Sequence, residues 1–401
     1  MIALFTKILS MLRTVTCRLY PTAGQASRLF HFLYTGRKLY NHSLEQRIKF
    51  YKETGKSLSY FDQQNDLTVL RAVSVVLHDF PVWIARDALK RLDRAFDSFF
   101  RRLKGKKEKP GFPRFKSANR WNTFGIWNPG KAVRNGRIRV TGVSELIKTK
   151  GLQDFTGKIK QLHVTHRAGK WFCGLIVDDG QKPPTKKPVH SSIGIDVGLE
   201  SFATLSDGGK ILNPRFYRKA QRRLARASRA VCRKKKGSNN RRKAVHRLQR
   251  VHEYIRGQRW HFMHSASKRL ISRFDLIAAE SLSINGMVRN SHFSKSILDA
   301  AWGHFLWQLE YKAENAGVQF LKVDPRGTSQ ECSGCGMTVA KTLKERTHRC
   351  PGCGLVLHRD HNAALNILRR AASPVVTTGS RACEEVQQNP NEASSLTIAA
   401  T

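Results

Sequence analysis

Four cysteines in two closely spaced pairs constrain this chain more than any other feature. Cys332 and Cys335 are separated by two residues, and Cys350 and Cys353 repeat that spacing after fourteen further residues. Four thiolates in this pattern are typical of a structural, tetrahedral zinc ion with no ligand position left open for chemistry. Two disulfides are the alternative. The remaining cysteines are scattered singly, which favours a reducing cytosol: Cys17, Cys173, Cys232 and Cys383.

The net charge limits what the protein can bind. The 401 residues include 72 Lys and Arg against 29 Asp and Glu, which gives a formal charge of +43. A chain this basic needs an anionic partner, and nucleic acid is the usual one. We expect no membrane partner, because no apolar run approaches about 18 residues and the basic segments lack a matching apolar face. The length predicts two or three domains.

Both ends of the sequence differ from the rest. Residues 2–12 look faintly like a signal peptide, but Lys7 interrupts a short apolar stretch, and we expect translation to begin at Met11 rather than Met1. Residues 373–401 contain one basic residue, three glutamates and many small or polar side chains. Such a segment cannot bury enough apolar surface to order itself, so we predict a disordered tail.

The first half of the chain combines strands with a helical block. Residues 14–20 alternate as a strand, and apolar residues recur at helical spacing over 23–54 and 82–103. Further strands are predicted at 137–141, 159–165 and 171–177. A β-barrel interrupted by a helical lobe accounts for this order. The proline- and lysine-rich stretch 181–188 predicts a linker after it.

A basic and aromatic segment lies within this half. Residues 101–139 hold thirteen basic residues and one acid, with aromatic side chains between them. Two interpretations of Trp121, Phe124 and Trp127 remain open. They stack on bases beside phosphate contacts, or they fill the core of a small barrel beneath a basic surface.

The second half begins with short buried strands. The predicted strands are 193–198, 202–205, 210–212, 274–280 and 318–323. A helix is predicted at 294–316, with Gly317 as its C-cap. Between these elements, residues 215–269 contain twenty Lys and Arg and a single acid, Glu253. We predict a helical hairpin that turns at 237–240 and binds nucleic acid, although charge runs are commonly only solvated faces.

Three of the few acidic residues in this chain lie at positions that suggest a function. Asp196 and Glu280 each lie at the end of a predicted strand, and Asp360 is predicted at the N-cap of the last helix. Phosphodiester hydrolysis by two metals needs carboxylates from separate elements, so that two Mg²⁺ ions lie about 4 Å apart astride the scissile phosphate. Singly, each acid could be an ordinary turn, strand-end or capping residue. Their joint order predicts a magnesium site.

Several motifs together resemble the TnpB family, the RNA-guided DNA endonucleases of small bacterial insertion sequences and relatives of type V CRISPR effectors. The resemblance extends from about residue 13 to residue 371. The motifs are Arg18-Leu19-Tyr20-Pro21, Tyr40-Asn41, Gly111-Phe112-Pro113-Arg114-Phe115, Gly194-Ile195-Asp196-Val197-Gly198, Ala279-Glu280-Ser281-Leu282, Trp302 with Leu309-Glu310-Tyr311-Lys312-Ala313, Thr328-Ser329-Gln330-Glu331-Cys332, and Arg359-Asp360-His361-Asn362-Ala363-Ala364-Leu365-Asn366-Ile367.

The resemblance implies a multidomain α/β architecture. Its parts are an N-terminal wedge β-barrel at 11–25 and 106–188, a helical recognition lobe at 26–105, an RNase H-like RuvC nuclease domain at 189–329 and 357–372, and an inserted zinc ribbon at 330–356. It implies Asp196, Glu280 and Asp360 as the catalytic, magnesium-binding triad and the four paired cysteines as zinc ligands. Two residues depart from the family pattern, Ser281 and His358, and neither belongs to the triad.

The resemblance also implies the partners, which are a guide RNA and double- and single-stranded target DNA. Base pairing would select the target, and the protein would read only a short flanking motif. We expect a monomer with its RNA in the bacterial cytoplasm, associated with the nucleoid. The candidate nucleic-acid contacts are Tyr60, Trp83, Arg86, Arg114, Lys116, Arg222, Arg226, Lys234 and Lys235.

Each of these contacts has an ordinary alternative. The aromatic residues could be core and the basic residues solvated surface. Two rival functions remain at this point: an RNA-guided DNA-binding regulator with an idle nuclease site, and a transposase that joins strands itself.

Overall fold

The computed structural model describes residues 11–105, 110–342 and 345–372. These residues form two compact units, of which the first ends at Lys182 and the second begins at Pro183. That boundary lies within the predicted linker 181–188. The tail predicted to be disordered, 373–401, and Cys383 lie outside the described residues.

The first unit combines an antiparallel sheet with helices that follow its first strand. Its strands are β1 Leu12–Tyr20, β2 Thr123–Trp127, β3 Val133–Arg134, β4 Arg137–Ile138, β5 Ile147–Lys150, β6 Lys158–Arg167 and β7 Lys170–Asp178. Its helices are α1 Ala23–Thr54, α2 Tyr60–Val73, α3 Val75–His78 and α4 Val82–Lys104. The predicted helices at 23–54 and 82–103 are confirmed, whereas the sequence analysis missed α2.

Local signals explain where the longest helix of this unit begins and ends. The Thr22 hydroxyl accepts a hydrogen bond from the Gln25 N–H, and the Gln25 side chain accepts one from the Thr22 N–H. This reciprocal cap satisfies two N–H groups that have no partner inside the helix. At the other end Gly55 adopts a left-handed conformation with φ of 69°, which glycine reaches without a steric penalty.

The sheet of the first unit is a half-barrel rather than a closed barrel. Its seven strands are ordered β2-β6-β7-β1-β5-β4-β3, with β2 and β3 at the two edges. Trp121 and Phe124 are buried in the core that the sheet shares with α1 and α4. The base-stacking interpretation is therefore wrong for these two side chains. Trp127 is partly exposed, with the Arg94 guanidinium 5.6 Å from its ring centre.

The second unit is built on a mixed sheet and six helices among the described residues. Its strands are β8 Ser192–Val197, β9 Ser201–Leu205, β10 Lys210–Leu212, β11 Leu276–Glu280, β12 Gln319–Val323, β13 Thr347–Arg349 and β14 Val356–His358. Its helices are α5 Phe216–Cys232, α6 Asn239–Arg273, α7 Ile284–Val288, α8 Ser291–Ala300, α9 Trp302–Ala316 and α10 Arg359–Ala372.

The main sheet of this unit has the order β10-β9-β8-β11-β12. Its β8, β11 and β12 strands are parallel, whereas β9 and β10 are antiparallel to their neighbours. Residues that alternate along β11 pack on opposite faces, as strand geometry requires. Ile277 lies in the core with α6 and α9, and Ala278 lies on the other face with Ile367 of α10.

Two details of the predicted helices are wrong. The single helix expected at 294–316 is divided into α8 and α9 at Ala301, which adopts a left-handed conformation with φ of 55°. The residue at the break is an alanine rather than a glycine or proline, so its residue type gives no signal for the end of a helix. Asp360 lies in the first turn of α10 rather than at its N-cap, because the helix begins at Arg359.

The predicted basic hairpin is confirmed as α5 and α6, but it turns at residues 233–238 rather than at the predicted 237–240, because Ser238 caps α6 and Asn239 already belongs to it. Its own apolar core is small and centres on Leu224, Val251 and Ile255. Asp299 of α8 fixes its base, accepting a hydrogen bond from the Tyr217 N–H at 2.9 Å and another from Arg259 at 3.0 Å. The polar contacts of Asp299 therefore add to the small apolar core in holding the hairpin.

Candidate active site and metal cluster

The ends of two parallel strands bring the first two predicted acids together. In the ladder between β8 and β11, Ile195 is paired with Ala279. The next residues along each strand are Asp196 and Glu280, which therefore stand at the same level. Neighbouring strands lie about 4.8 Å apart, and residues at one level of a parallel pair face the same side of the sheet.

Helix α10 supplies the third acid to the same face. Gly194 of β8 packs directly under this helix, and a Cβ built on Gly194 would lie 2.1 Å from the Ala364 carbonyl oxygen. Since Asp196 is two residues further along the strand, its side chain faces the same way as the Gly194 position. Asp360 is in the first turn of α10. The absence of a side chain at Gly194 thus lets the helix approach closely enough to bring Asp360 to the strand ends.

The three carboxylates interact electrostatically. Burial raises the pKa of Asp196 well above its ordinary range, and the negative charges of Glu280 and Asp360 raise it further, while Arg359 opposes the rise. In the described part of the chain, the Asp196 carboxylate makes no hydrogen bond or ion pair. A half-buried acid that feels the charges of two others is an arrangement that a divalent cation would stabilise.

Glu280 has a fixed partner that the sequence analysis missed. The Thr328 hydroxyl donates a hydrogen bond of 2.5 Å to Oε1 of Glu280. Burial raises the pKa of Glu280, and this hydrogen bond opposes the increase. Thr328 therefore orients the carboxylate and favours its charged form.

Two asparagines of α10 hold the segment that carries Thr328. Asn366 donates to the carbonyl oxygens of Thr328 at 2.9 Å and Glu331 at 2.7 Å. Asn362 donates to the Glu331 carbonyl oxygen at 2.7 Å and accepts from the Ser333 N–H at 2.9 Å. Both asparagines are fully buried and one helical turn apart. The helix that brings Asp360 thus also positions the partner of Glu280.

Further charged groups surround Asp360. The Arg346 guanidinium lies 3.9 Å from Oδ1 of Asp360 and 3.5 Å from Oε2 of Glu200. Glu200, His358 and Asp360 each place one potential ligand atom within 4.8 Å of the others. The sequence analysis assigned no function to Arg346 or Glu200, because no spacing rule connects them to Asp360.

The side chains of the triad fit a magnesium site by their chemistry. All three supply carboxylate oxygens, the ligands that Mg²⁺ prefers, and they come from three separate elements. Burial and the charges of Glu280 and Asp360 raise the pKa of Asp196, and a bound cation would oppose that rise.

The four paired cysteines converge in the segment before α10. Their sulfur atoms all lie within 4.8 Å of one another, with 3.6 Å between the sulfurs of Cys332 and Cys353 and 3.5 Å between those of Cys335 and Cys350. These separations exceed a disulfide bond of about 2.05 Å. They are close to the edge of about 3.8 Å expected for a tetrahedron with zinc–sulfur bonds of about 2.3 Å. The arrangement therefore fits zinc and excludes the disulfide alternative.

The two cysteine pairs have the same local geometry. The Gly336 N–H donates to the Cys332 carbonyl oxygen at 2.9 Å, and the Gly354 N–H donates to that of Cys350 at 3.0 Å. Both glycines have positive φ, 81° and 74°. A hydrogen bond from the Cys353 N–H, aided by the Cys335 thiol, lowers the pKa of Cys350 to about 6. Contact with the sulfurs of Cys332 and Cys335 instead raises the pKa of Cys353 to about 12. The backbone N–H groups thus favour the thiolate at Cys350, whereas the crowding of four sulfurs opposes it at Cys353.

The predicted nucleic-acid contacts of the hairpin are exposed. Arg222, Arg226, Lys234 and Lys235 all lie on the surface of α5 or of the turn that follows it. Their exposure fits contact with a polyanion and equally fits a solvated face. Their role in binding remains a prediction.

The predicted contacts of the first unit differ among themselves. Tyr60 is half-buried against the core with the Lys90 ammonium 4.7 Å from its ring centre. Trp83 is partly exposed, and Arg86 lies 5.2 Å from the centre of its ring. Arg114 is exposed, whereas Lys116 is half-buried and its N–H donates to Asn41 at 2.7 Å. Of the five, Arg114 and the Trp83–Arg86 pair are the most accessible to a ligand.

Comparison with known proteins identifies the family. A relative from Streptomyces pristinaespiralis named "Putative RNA-guided DNA endonuclease" is 32% identical over 364 residues, which cover 89% of this chain and 88% of the relative. The chain belongs to the TnpB family. A second relative, "Putative RNA-guided DNA endonuclease InsQ" of Escherichia coli, is 28% identical over 93% of this TnpB-family chain and 94% of its own length.

Three family models match separate parts of this TnpB-family chain. They are described as "Helix-turn-helix domain" at residues 11–56, "Probable transposase" at 175–291 and "Cas12f1-like, TNB domain" at 302–367. A solved structure entitled "Structure of the mini-RNA-guided endonuclease CRISPR-Cas_phi3" aligns with a TM-score of 0.48 and 10% identity, over 91% of this chain and 93% of that one. Among the described residues, none of the helices combines the length and apolarity that crossing a membrane requires.

Proposed function

We propose that this protein is an RNA-guided DNA endonuclease encoded by an insertion sequence. Its proposed catalytic residues for hydrolysis of the target DNA are Asp196, Glu280 and Asp360. The proposal is supported by the position of Asp196 and Glu280 side by side near the end of the β8–β11 pair, with the charge of Asp360 acting on Asp196. The names of the relatives, which match nearly the whole chain, support the same activity. An idle-nuclease regulator is not favoured, since the chain retains all three acids.

In this proposal each acid has a defined task. Asp196, Glu280 and Asp360 would hold divalent cations, Mg²⁺ in the simplest case, which when bound would supply an activated water and charge stabilisation at the leaving oxygen. Thr328 keeps Glu280 charged and oriented through its short hydrogen bond. The Arg359 guanidinium lowers the pKa of Asp196 and so favours the ionised form that binds cations.

The domain assignments belong to the same proposal. The mixed sheet with α10 against it would be the RNase H-like RuvC domain at 189–329 and 357–372, and the cysteine cluster would be a zinc ribbon at 330–356. The half-barrel would form the wedge at 11–25 and 106–188, and the helices at 26–105 the recognition lobe. Zn²⁺ would stabilise the ribbon without taking part in chemistry.

The proposed partners follow from charge and family. A guide RNA and the target DNA would bind across the basic surfaces, which include Arg114, Arg222 and Lys234. Trp83 and Arg86 would read the flanking motif. In this role the protein acts as a monomer with its RNA in the bacterial cytoplasm, at the nucleoid.

The deciding experiment is a cleavage assay with purified protein, the RNA that copurifies with it and a DNA duplex matched to that RNA. We expect cutting beside a short motif in the presence of Mg²⁺ and none with Asp196→Ala. Products with free ends indicate hydrolysis, whereas joined strands would indicate the transposase activity. No cutting by the wild type, or equal cutting by Asp196→Ala, would reject the proposal.

A further inference from the structure

Two buried cysteines outside the metal cluster lie directly opposite each other in the half-barrel. Cys17 of β1 is paired with Cys173 of β7 in the antiparallel ladder between these two strands. Their side chains are 5% and 1% exposed, and both belong to the apolar core of the first unit. Both are free thiols. Neither the proposed catalysis nor the metal cluster gives them a role.

The strand register places the two residues at the separation that a disulfide needs. Directly opposite residues of an antiparallel pair have Cα atoms about 4.5 or 5.5 Å apart, depending on the hydrogen-bond pattern. Both values lie within the range of roughly 4.4–6.8 Å found in disulfides. Both side chains also face the core, because the residues two positions away on each strand, Val15, Leu19 and Leu175, are buried as well. A bridge therefore requires no change of register.

The two thiols differ in how easily they ionise. Contact with the Cys173 thiol lowers the pKa of Cys17, although burial opposes this effect. Contact with the Cys17 thiol, together with burial, raises the pKa of Cys173 well above its ordinary value. The thiolate is the form of cysteine that an oxidant attacks. Cys17 is therefore suited to react first, with Cys173 beside it to complete a bridge.

We propose that Cys17 and Cys173 are a peroxide-sensitive pair that forms a cross-strand disulfide between β1 and β7. The Cys17 thiolate attacks one oxygen of hydrogen peroxide and displaces hydroxide, which leaves a sulfenic acid. The Cys173 sulfur loses its proton, attacks the Cys17 sulfur and displaces a second hydroxide. The protons of the two thiols convert both hydroxides to water, so two thiols and one peroxide give one disulfide and two waters.

The burial of the pair selects the oxidant and gives the bridge its effect. Sulfurs this enclosed are accessible to a small peroxide but not to a bulky reagent. Residues 18–172, which include α1 to α4, lie between the two cysteines in the chain. Closing so long a loop restricts the unfolded chain and should stabilise the first unit. In a reducing cytosol the pair stays as thiols, so the bridge would form only when peroxide accumulates. This pairing is independent of the proposed nuclease function.

The test treats the full-length, zinc-loaded chain with a small excess of hydrogen peroxide, blocks the remaining thiols and maps tryptic peptides without reduction. Cleavage after basic residues separates the two cysteines into peptides 14–18 and 171–186. We expect mass spectrometry to find these two peptides as one linked species, which dithiothreitol separates. The Tm of the oxidised chain should exceed that of the reduced chain by about 5 °C or more.

The variants separate this pair from the other thiols. Cys17→Ala and Cys173→Ala should each abolish both the linked species and the increase in Tm. Cys232→Ser is the matched control, since it removes an exposed cysteine at the end of α5, and it should retain both. The wild type alone decides the pairing, so a variant that failed to fold would leave the test intact.

Three results would overturn the proposal. The pairing is refuted if both cysteines of the peroxide-treated wild type remain free thiols. It is equally refuted if Cys17 is found as a sulfinic acid or is bridged to a cysteine other than Cys173. A linked species with no increase in Tm would refute the stabilising effect of the bridge.

Discussion

Replacement of Gly194 by alanine tests how the site is assembled without touching any acid. The new Cβ would lie 2.1 Å from the Ala364 carbonyl oxygen and 2.9 Å from the Leu368 nitrogen, whereas real Cβ atoms essentially never come closer than 3.0 Å. Because both obstacles are backbone atoms of α10, no side chain can rotate away. The strand and the helix must separate by about 0.9 Å, the shortfall against that limit.

That displacement has two calculable consequences. Overpacking of this size costs about 1–3 kcal/mol of stability. Since α10 carries Asp360, the same shift moves one acid away from the other two, and a misplacement of about 1 Å can cost about 100-fold in rate. We therefore expect Gly194→Ala to fold with a lowered Tm and to cleave matched DNA about 100-fold more slowly.

The assay is single-turnover cleavage by the RNA-loaded protein at saturating Mg²⁺, with thermal denaturation measured in parallel. Gly174→Ala is the matched control, because Gly174 also lies in a strand and a Cβ there meets nothing within 4 Å. This variant should match the wild type in both measurements. If Gly194→Ala cleaved as fast as Gly174→Ala, the close approach of α10 would not be what positions Asp360.

Three further predictions concern the metal cluster, Glu280 and a histidine outside the site. Cys350→Ser should lower the zinc content, measured by plasma mass spectrometry, from one ion per chain towards none, because one of four thiolate ligands is lost; retention of a full zinc complement would contradict the cluster. Thr328→Val removes the hydrogen bond that lowers the pKa of Glu280, so Glu280 should protonate at higher pH and the acidic limb of the pH–rate profile should move upward, with about a tenfold loss of rate at neutral pH; an unmoved limb would refute this role. Burial, with the charge of Lys312, lowers the pKa of His264 to about 4 from 6.5. As the pH decreases from 6.5 towards 4, His264 takes up a proton in the unfolded chain but not in the folded protein, so the free energy of unfolding should fall. In urea denaturation, His264→Gln should reduce this dependence of stability on pH. An unchanged dependence on pH would show that other groups cause it.

The sequence predicted the elements of the fold better than their boundaries. The helix at 23–54 was predictable to the residue because Thr22 and Gly55 cap it with recognisable chemistry. The break at Ala301 was not, because a left-handed alanine is imposed by tertiary packing and has no local signal. The half-barrel was expected as a barrel, since strand patterns do not reveal whether edge strands meet.

Some residues of the candidate site could likewise be identified from the sequence, and others could not. Asp196 and Glu280 could be identified because each lies within one residue of the end of an apolar strand, a position that puts them at one edge of a parallel sheet. Thr328, Glu200 and Arg346 could not be identified, because they act through distances fixed only when α10 and the cysteine cluster are in place. The role of Trp121 stayed open because the sequence pattern, an aromatic residue among basic ones, is the same for a buried side chain and for one that stacks on a base.

The position of α10 in the chain bears on synthesis of the protein. A ribosome completes the half-barrel, the basic hairpin and all three parallel strands before it reaches the helix that carries Asp360. Under the proposed function, a nascent or prematurely terminated chain would present its basic surfaces to RNA while its third acid is still missing. Under the proposed function, such products would occupy guide and target without cutting, so early stop codons would generate inhibitors of the full-length enzyme.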